Sequence, residues 1–199
     1  MGEFYLIQPR KFRFKPKTTN SNHQLTIYPN QIKDLGTVVP NHVWVSNIIY
    51  IAVNNTWCYL ALIMDQGSRK IVGWAIQHSM QTELCLEALE MALKNNPTPA
   101  YHHSDRGSQY CSREYREVLK KNNIKLSMAD VGMSVDNPFA ESLNRSLKVE
   151  EVYRNDYEDI YSARLNIGKW IDKYNNTRLH SSLGYTSPVK YLVEYYKSA

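Results

Sequence analysis

Acidic and basic side chains occur at spacings that could support chemistry in two parts of the sequence. Asp105 follows a short predicted strand, 100–104, and ligands commonly bind at strand ends in α/β sheets. Glu141 precedes Arg145 by four residues and Lys148 by seven, so the three side chains share one face of a predicted helix. Such a face would suit a metal-bound phosphodiester with its backbone held alongside. A salt-bridged pair on a solvated surface is the alternative, and the spacing alone favours it.

The hydrophobic pattern around these residues predicts the elements that would position them. Three strands come first, joined by short turns: 43–53, 57–64 and 70–76. The later elements are a helix near 84–93, a strand at 100–104, a helix at 112–121, a strand at 124–128, and helices near 136–152, 157–175 and 188–196. The two tight connections indicate an antiparallel meander with a buried middle strand. The order of elements predicts an α/β fold with a mixed sheet layered with helices.

Positive charge is concentrated near the N-terminus. The first 22 residues contain five cations, Arg10, Lys11, Arg13, Lys15 and Lys17, against Glu3 alone. The formal net charge of the whole chain is only +5, so the basicity belongs mainly to this segment. Together with the irregular stretch that follows, it reads as a leader or linker over residues 1–40. A short basic arm can bind phosphates, and a solvated, disordered leader is the alternative.

Composition narrows the class of protein. With 199 residues and 43% hydrophobic side chains, the chain can bury a substantial core. The longest apolar run, 57–64, is far shorter than the roughly 18 residues of a membrane span. The N-terminus lacks the layout of a signal peptide, which predicts a cytoplasmic protein. Cys58, Cys85 and Cys111 form no CxxC pair, which argues against a zinc knuckle or a disulfide framework.

Three separate motifs carry a more specific signal. They are HSDRGSQY at 103–110, DNPFAESLNRSLKVE at 136–150 and YNNTRLHSSLGYTSP at 174–188. Over about residues 23–190 the chain resembles the core of bacterial insertion-sequence transposases, which is similar to the catalytic domain of retroviral integrases. The 35 residues between Asp105 and Glu141 match that family's characteristic interval. The resemblance implies a ribonuclease H-like five-stranded sheet and an Asp-Asp-Glu triad that binds Mg²⁺ or Mn²⁺.

One triad position departs from the family pattern. The resemblance places the first acid in the segment Trp44-Val45-Ser46-Asn47-Ile48-Ile49-Tyr50-Ile51, where Asn47 occupies the expected aspartate position. Two hard cations held close together need anionic oxygen ligands, and an amide offers one neutral carbonyl oxygen beside a donor group. We therefore expect the fold to tolerate Asn47 while metal affinity and rate fall. Asp65, about 10 Å away at strand rise, and Asp136 are predicted to be a turn acid and a helix cap, so neither should replace the missing carboxylate.

The remaining motif residues have two interpretations each. His102 and His103 adjoin Asp105, and strand-end structure is favoured over contact with substrate. Arg178 and His180 follow a helix, where a turn that orients the last helix is favoured over contact with the DNA backbone. By the resemblance, Arg145 and Lys148 are assigned to DNA contact.

These observations predict a basic linker or leader at 1–40 and an integrase-like catalytic core with C-terminal helices at 41–199. The predicted site consists of Asn47, Asp105 and Glu141 as catalytic and metal-binding residues. The predicted DNA contacts are Arg145, Lys148, Arg178, Lys11 and Arg13.

The resemblance implies DNA as the partner, both at element ends and at the target, with a homo-oligomer as an option. It implies no membrane association and a place in the bacterial cytosol or nucleoid. End recognition is expected to need helix-turn-helix modules that the sequence lacks. The alternative is a catalytically silent DNA-binding or regulatory module; a ribonuclease H-like nuclease of another kind fits the C-terminal motif less well.

Overall fold

The computed structural model describes residues 23–130 and 138–198. The elements in this part are β1 (Val43–Val53), β2 (Thr56–Asp65), β3 (Ile71–Gln77), α1 (Thr82–Asn95), β4 (Tyr101–Ser104), α2 (Ser108–Cys111), α3 (Arg113–Lys121), β5 (Lys125–Met128), α4 (Pro138–Glu150), α5 (Ile160–Asn176) and α6 (Pro188–Ser198). Short 3₁₀ turns follow α4 at Val152–Arg154 and α5 at Ser181–Leu183. Residues 23–42 contain no helix or strand, so the predicted boundary at 40/41 falls in irregular chain and stays a prediction.

The five strands form one mixed sheet in the order β3-β2-β1-β4-β5. β1, β2 and β3 are antiparallel neighbours, whereas β4 pairs parallel with both β1 and β5. The predicted meander and its buried middle strand are therefore confirmed. In the hairpin register Asn47 lies opposite Leu62 and Trp44 lies opposite Asp65.

Helices cover both faces of the sheet. On one face, α4 and α5 pack through Leu143, Leu147 and Ile167 against the odd-numbered residues of β1. On the other face, α1 and α3 pack against the even-numbered residues Trp44 and Ile48. Successive side chains of a strand point to opposite faces, so residue 47 belongs to the face that α4 covers.

Several element boundaries differ from the sequence prediction by a few residues. α5 begins at Ile160 rather than 157, because Tyr157 is buried in a bridge with Val53. Asp159 instead caps the helix through a reciprocal capping box with Ser162. α4 ends at Glu150, before the first 3₁₀ turn, and the loop predicted after Asp105 contains the short helix α2.

The irregular N-terminal stretch is tied to the sheet beside Asp105. The Gln31 amide N–H donates to Ser127 Oγ at 2.9 Å, and its side chain donates to the Leu126 carbonyl at 3.2 Å. Further upstream, His23 Nε2 lies 2.9 Å from the carbonyl oxygen of Arg106. The segment thus crosses the end of β5 and reaches the loop that carries Asp105.

Candidate active site

Two central strands bring Asn47 and Asp105 to the same level of the sheet. The parallel register pairs Val45 with His103, and continuing it by two residues puts Asn47 level with Asp105, just beyond the end of β4. Residue 47 has the parity of the β1 residues that face α4. Neighbouring strands lie about 4.8 Å apart, so the register brings the two predicted ligands side by side.

The loop after β4 holds Asp105 in a defined turn. Asp105 Oδ1 accepts a hydrogen bond from the Gly107 amide at 2.9 Å. A Cβ at Gly107 would lie 3.0 Å from both Asp105 Oδ1 and Gln109 Oε1, so the absence of a side chain permits this close approach. The next residue, Arg106, donates to the Ala129 carbonyl at 2.8 Å, which anchors the loop to the chain beyond β5.

Asn47 is half-buried, and its side chain is engaged locally. Asn47 Oδ1 accepts a hydrogen bond from the Ile48 amide at 2.8 Å. The carbonyl oxygen is the only acceptor atom of the amide group, and it has at most one further lone pair for a cation. A carboxylate of the same shape would keep this hydrogen bond and still present a second, anionic oxygen.

Glu141, Arg145 and Lys148 lie on α4, as the sequence predicts. Glu141 and Arg145 are exposed, and among the described residues no ion pair joins them, so the predicted salt-bridge alternative is not formed. The Lys148 ammonium lies 5.0 Å from the ring centroid of Tyr50, three residues beyond Asn47 in β1. α4 therefore runs along the strand that carries Asn47, with its acid in the first turn.

The histidines before Asp105 are structural. His102 and His103 are fully buried. Tyr115 Oη lies 2.9 Å from His102 Nε2, and Ser127 Oγ lies 2.9 Å from His103 Nδ1. Burial, reinforced by His103, lowers the pKa of His102 to about 3, so this imidazole is neutral at physiological pH. The favoured strand-end interpretation is supported by these contacts.

Asp65 acts as a turn acid. It is 1% exposed and accepts hydrogen bonds from the Asn41 amide at 2.9 Å and from the amide and hydroxyl of Ser68. Burial raises its pKa despite these hydrogen bonds. Its pairing with Trp44 places it three positions from the level of Asn47, so it is not a substitute ligand.

Arg178 is held within the protein. Its guanidinium forms an ion pair with Glu150 at 2.9 Å and donates to Ser146 Oγ at 3.3 Å. Glu150 also accepts from the indole of Trp170 at 3.2 Å, so the end of α4 is fixed to α5 and the chain after it. This geometry supports the orienting role, and contact of Arg178 with DNA stays a prediction. Lys11, Arg13 and Asp136 lie outside the described residues.

The donor set is suited to a hard divalent cation. Carboxylate oxygens of Asp105 and Glu141 and the amide oxygen of Asn47 are the ligand types that Mg²⁺ and Mn²⁺ prefer. Two carboxylates balance one divalent charge and leave a second cation short of a partner. Within residues 23–130 and 138–198, no three His, Cys, Asp or Glu side chains are grouped so that they could hold a metal ion.

No helix in the described part of the chain is long and apolar enough to cross a bilayer.

Comparison with known sequences identifies relatives along nearly the whole chain. Two families, both described as integrase core domains, match residues 38–134 and 122–188. The chain is 39% identical over 196 residues to an uncharacterised 31 kDa protein of insertion element IS600 from Shigella sonnei, covering 96% of this chain and 71% of that protein. It is 38% identical to the transposase of IS629 from Shigella sonnei (80% of this chain, 54% of that one) and 34% identical to transposase InsF of IS3A from Escherichia coli K12 (90% and 63%). The chain thus spans just over half to nearly two thirds of these two transposases.

Solved structures agree with this assignment at the level of the fold. A chain of the simian T-cell lymphotropic virus intasome in complex with PP2A regulatory subunit B56 gamma superposes with a TM-score of 0.66 at 17% identity, covering 87% of this chain and 60% of that one. The HTLV-2 integrase catalytic core in complex with magnesium gives 0.56 at 16% identity, covering 73% and 93%. The BIV integrase catalytic core gives 0.59 at 16% identity, covering 79% and 98%. The predicted ribonuclease H-like sheet is confirmed.

Proposed function

Because the chain belongs to the family of insertion-sequence transposases with an integrase core domain, a class of polynucleotidyl transferases, we propose that it carries the machinery for divalent-metal-dependent DNA cleavage and strand transfer. The observation that supports this most directly is the shared level of Asn47 and Asp105 on neighbouring strands, with α4, whose first turn carries Glu141, packed along β1. In this proposal the three residues form the metal site.

Each residue has a distinct task in the proposed reaction. Asp105 and Glu141 would hold Mg²⁺ or Mn²⁺ through their carboxylates, and Asn47 would contribute its amide oxygen. A metal held there would supply activation of the attacking oxygen and stabilisation of the leaving oxygen in a displacement at phosphorus. Arg145 and Lys148, on the same helix face as Glu141, hold the phosphate backbone by charge-assisted hydrogen bonds. The Gly107 turn fixes the orientation of the Asp105 carboxylate.

Asn47 lowers the proposed activity. An amide removes one negative charge from the site, and its carbonyl already accepts the Ile48 hydrogen bond. Weaker metal binding then follows from electrostatics alone. The same observation favours the second candidate function, a catalytically silent module that binds DNA or regulates an active transposase.

The proposed partner is DNA, at element ends and target, and a homo-oligomer would fit a reaction that joins two ends. Among the structural neighbours, the HTLV-2 core is described in dimeric and trimeric forms. We propose a place in the bacterial cytosol or nucleoid, and Lys11 and Arg13 as further phosphate contacts.

Nicking of supercoiled plasmid tests the proposal, since it needs no recognition of element ends. With Mn²⁺, Asn47→Asp should nick at least about 100-fold faster than the parent chain. This corresponds to about 2.7 kcal/mol of transition-state stabilisation, since each 1.36 kcal/mol is tenfold in rate. Adding Asp105→Asn to Asn47→Asp should abolish the gain, and Asn55→Asp, in the exposed β1–β2 turn, is the matched charge control. Equal rates for parent and Asn47→Asp would contradict the assignment of residue 47. Plasmid binding without nicking in both would favour the silent module.

A further inference from the structure

A polar groove lies beside the candidate active site. It has a volume of about 580 Å³ and lies between α4 and the chain after α5, with Met64 of β2 among its lining residues. Phe139, Ser142 and Ser146 form its α4 wall. Ser142 directly follows Glu141, and Ser146 directly follows Arg145. The groove therefore lies on the helix face next to the one that carries the predicted catalytic acid.

Arg69 lines this groove, where the charge of Asp65 acts on its guanidinium without forming an ion pair among the described residues. Its guanidinium carbon lies 3.9 Å from the ring centroid of Phe139, which holds the side chain against α4. Burial lowers the pKa of Arg69, and the charges of Tyr174 and Asp65 oppose that shift. The two Asp65 oxygens accept hydrogen bonds from the Asn41 amide and from Ser68. Among the described residues no carboxylate pairs with Arg69 and no acceptor bonds to it. A half-buried cation left in this way is costly unless an anion completes its surroundings.

The opposite wall adds positive charge and hydrogen-bonding groups. Arg178 lines the groove, and its charge is only partly offset by Glu150, which serves Trp170 as well. His180 Nε2 is buried there with no hydrogen-bond partner among the described residues. Burial, together with the charges of Arg178 and Arg69, lowers the pKa of His180 to about 4, against the opposing effect of Glu150. The groove therefore has a positive potential that favours anions.

The loop after α5 presents hydroxyls and an aromatic rim. Hydrogen bonds from the His180 amide to the Thr186 carbonyl at 3.1 Å and from the Tyr185 amide to the His180 carbonyl at 2.9 Å close this loop. Ser181 and Ser182 line the groove from it, and Tyr185 stands at the rim with 72% of its surface exposed. Arginine, serine and tyrosine side chains are the groups that proteins commonly use to contact DNA phosphates.

From this geometry we propose that the groove binds a phosphate group of the DNA strand next to the bond that the acidic site acts on. The location fits, because Met64 pairs with Val45, two residues before Asn47 in β1. Arg69 is the principal phosphate ligand, the serine hydroxyls complete the contacts, and Tyr185 packs on the adjacent sugar or base. The proposal rests on DNA being the substrate, yet it requires neither metal nor an intact triad.

The first test measures DNA binding by fluorescence anisotropy in EDTA, with single-stranded and duplex oligonucleotides. Arg69→Gln should weaken binding about five-fold or more and reduce the slope of log K against log salt by about 0.7–0.9, the loss of one phosphate contact. The matched control is Lys94→Gln, which removes an equally positive, exposed side chain at the end of α1 on the opposite face of the sheet. Equal effects of the two variants would overturn the proposal.

A second pair of variants guards against misfolding of Arg69→Gln. Ser182→Asp adds a negative charge to an exposed groove residue and should weaken DNA binding, whereas Ser79→Asp, in the exposed loop after β3, should leave it within two-fold. No difference between these two would count against the groove.

Titration of His180 by NMR separates the two sources of phosphate. Bound anion should raise the His180 pKa by about one unit, and the oligonucleotide should do so at far lower concentration than inorganic phosphate. A response to inorganic phosphate alone would overturn the DNA assignment and leave a small-anion site. If Asn47→Asp fails to nick DNA while Arg69→Gln still weakens binding, the catalytic proposal fails and the groove proposal survives.

Discussion

Replacing Asn47 by aspartate should change how the stability of the protein responds to metal. In Asn47→Asp without metal, two carboxylates would belong to adjacent strands whose spacing is about 5 Å, and we take that spacing as their separation. Their repulsion is about 3 kcal/mol at an effective dielectric of 20 and about 1 kcal/mol in water, so a half-buried pair should cost about 1–2 kcal/mol. For a domain of this size, 1 kcal/mol shifts Tm by roughly 2–4 °C. The variant should therefore unfold about 2–8 °C below the parent in EDTA.

Mn²⁺ should reverse the order of the Tm values, so that Asn47→Asp unfolds at a higher temperature than the parent chain. With a third carboxylate the site binds its cation more tightly and begins to balance a second one, and ligand at 100 times its Kd stabilises the folded state by about 2.7 kcal/mol. Differential scanning fluorimetry across a Mn²⁺ titration should therefore raise the Tm of Asn47→Asp by about 5–10 °C and that of the parent by far less.

Asn55→Asp serves as the control for added charge. Asn55 lies exposed in the β1–β2 turn, so its aspartate should shift Tm by less than about 1 °C with or without metal. The electrostatic reasoning would be refuted if Asn47→Asp and Asn55→Asp behaved alike, or if Mn²⁺ stabilised the parent as strongly as Asn47→Asp.

Two further predictions concern the scaffold. His102 is neutral in the folded protein with a pKa of about 3, whereas in the unfolded chain it is near 6.5, so the unfolded state binds more protons between these values. Stability should fall by up to about 1.4 kcal/mol per pH unit below pH 6.5, and urea denaturation of His102→Gln should show a flatter profile; identical profiles would contradict this. Asn175 accepts from the amide and donates to the carbonyl of Ile71, each at 2.9 Å, and is buried. Asn175→Ala should cost about 3 kcal/mol in urea denaturation, and exposed Asn176→Ala under 1, so equal losses would exclude this strand contact as the cause.

The hydrophobic pattern of the two strands and the turn residues between them were sufficient to predict the central hairpin. Asn54 and Asn55 favour a tight turn between β1 and β2, and the observed register across that turn pairs Asn47 with Leu62. The start of α5 was wrong by three residues because burial of Tyr157 against Val53 is a tertiary contact with no local signal. The Asp159–Ser162 capping box was a local signal that could have corrected it.

The candidate site was predicted less completely than the fold. Motif spacing singled out Asp105 and Glu141, and the strand register supports the association of Asp105 with Asn47. The sequence did not predict Arg69 as a binding residue, because basic residues are common in tight turns. Only its packing against Phe139 brings it to α4. The engagement of Arg178 by Glu150 likewise depends on how α5 and the following chain pack, which no local pattern reports.

The position of α4 links the two proposed sites thermodynamically. Its last residue, Glu150, is clasped by Arg178 and Trp170, and its first turn is held by the stacking of Phe139 on Arg69. A ligand that restricts the motion of this helix lowers the conformational-entropy cost of ordering Glu141, so a second ligand binds more tightly. Reciprocity then requires that if nucleic acid tightens cation binding by some factor, the cation tightens nucleic acid by that same factor. An assembly of this kind would load its cofactor most readily when its substrate is already in place.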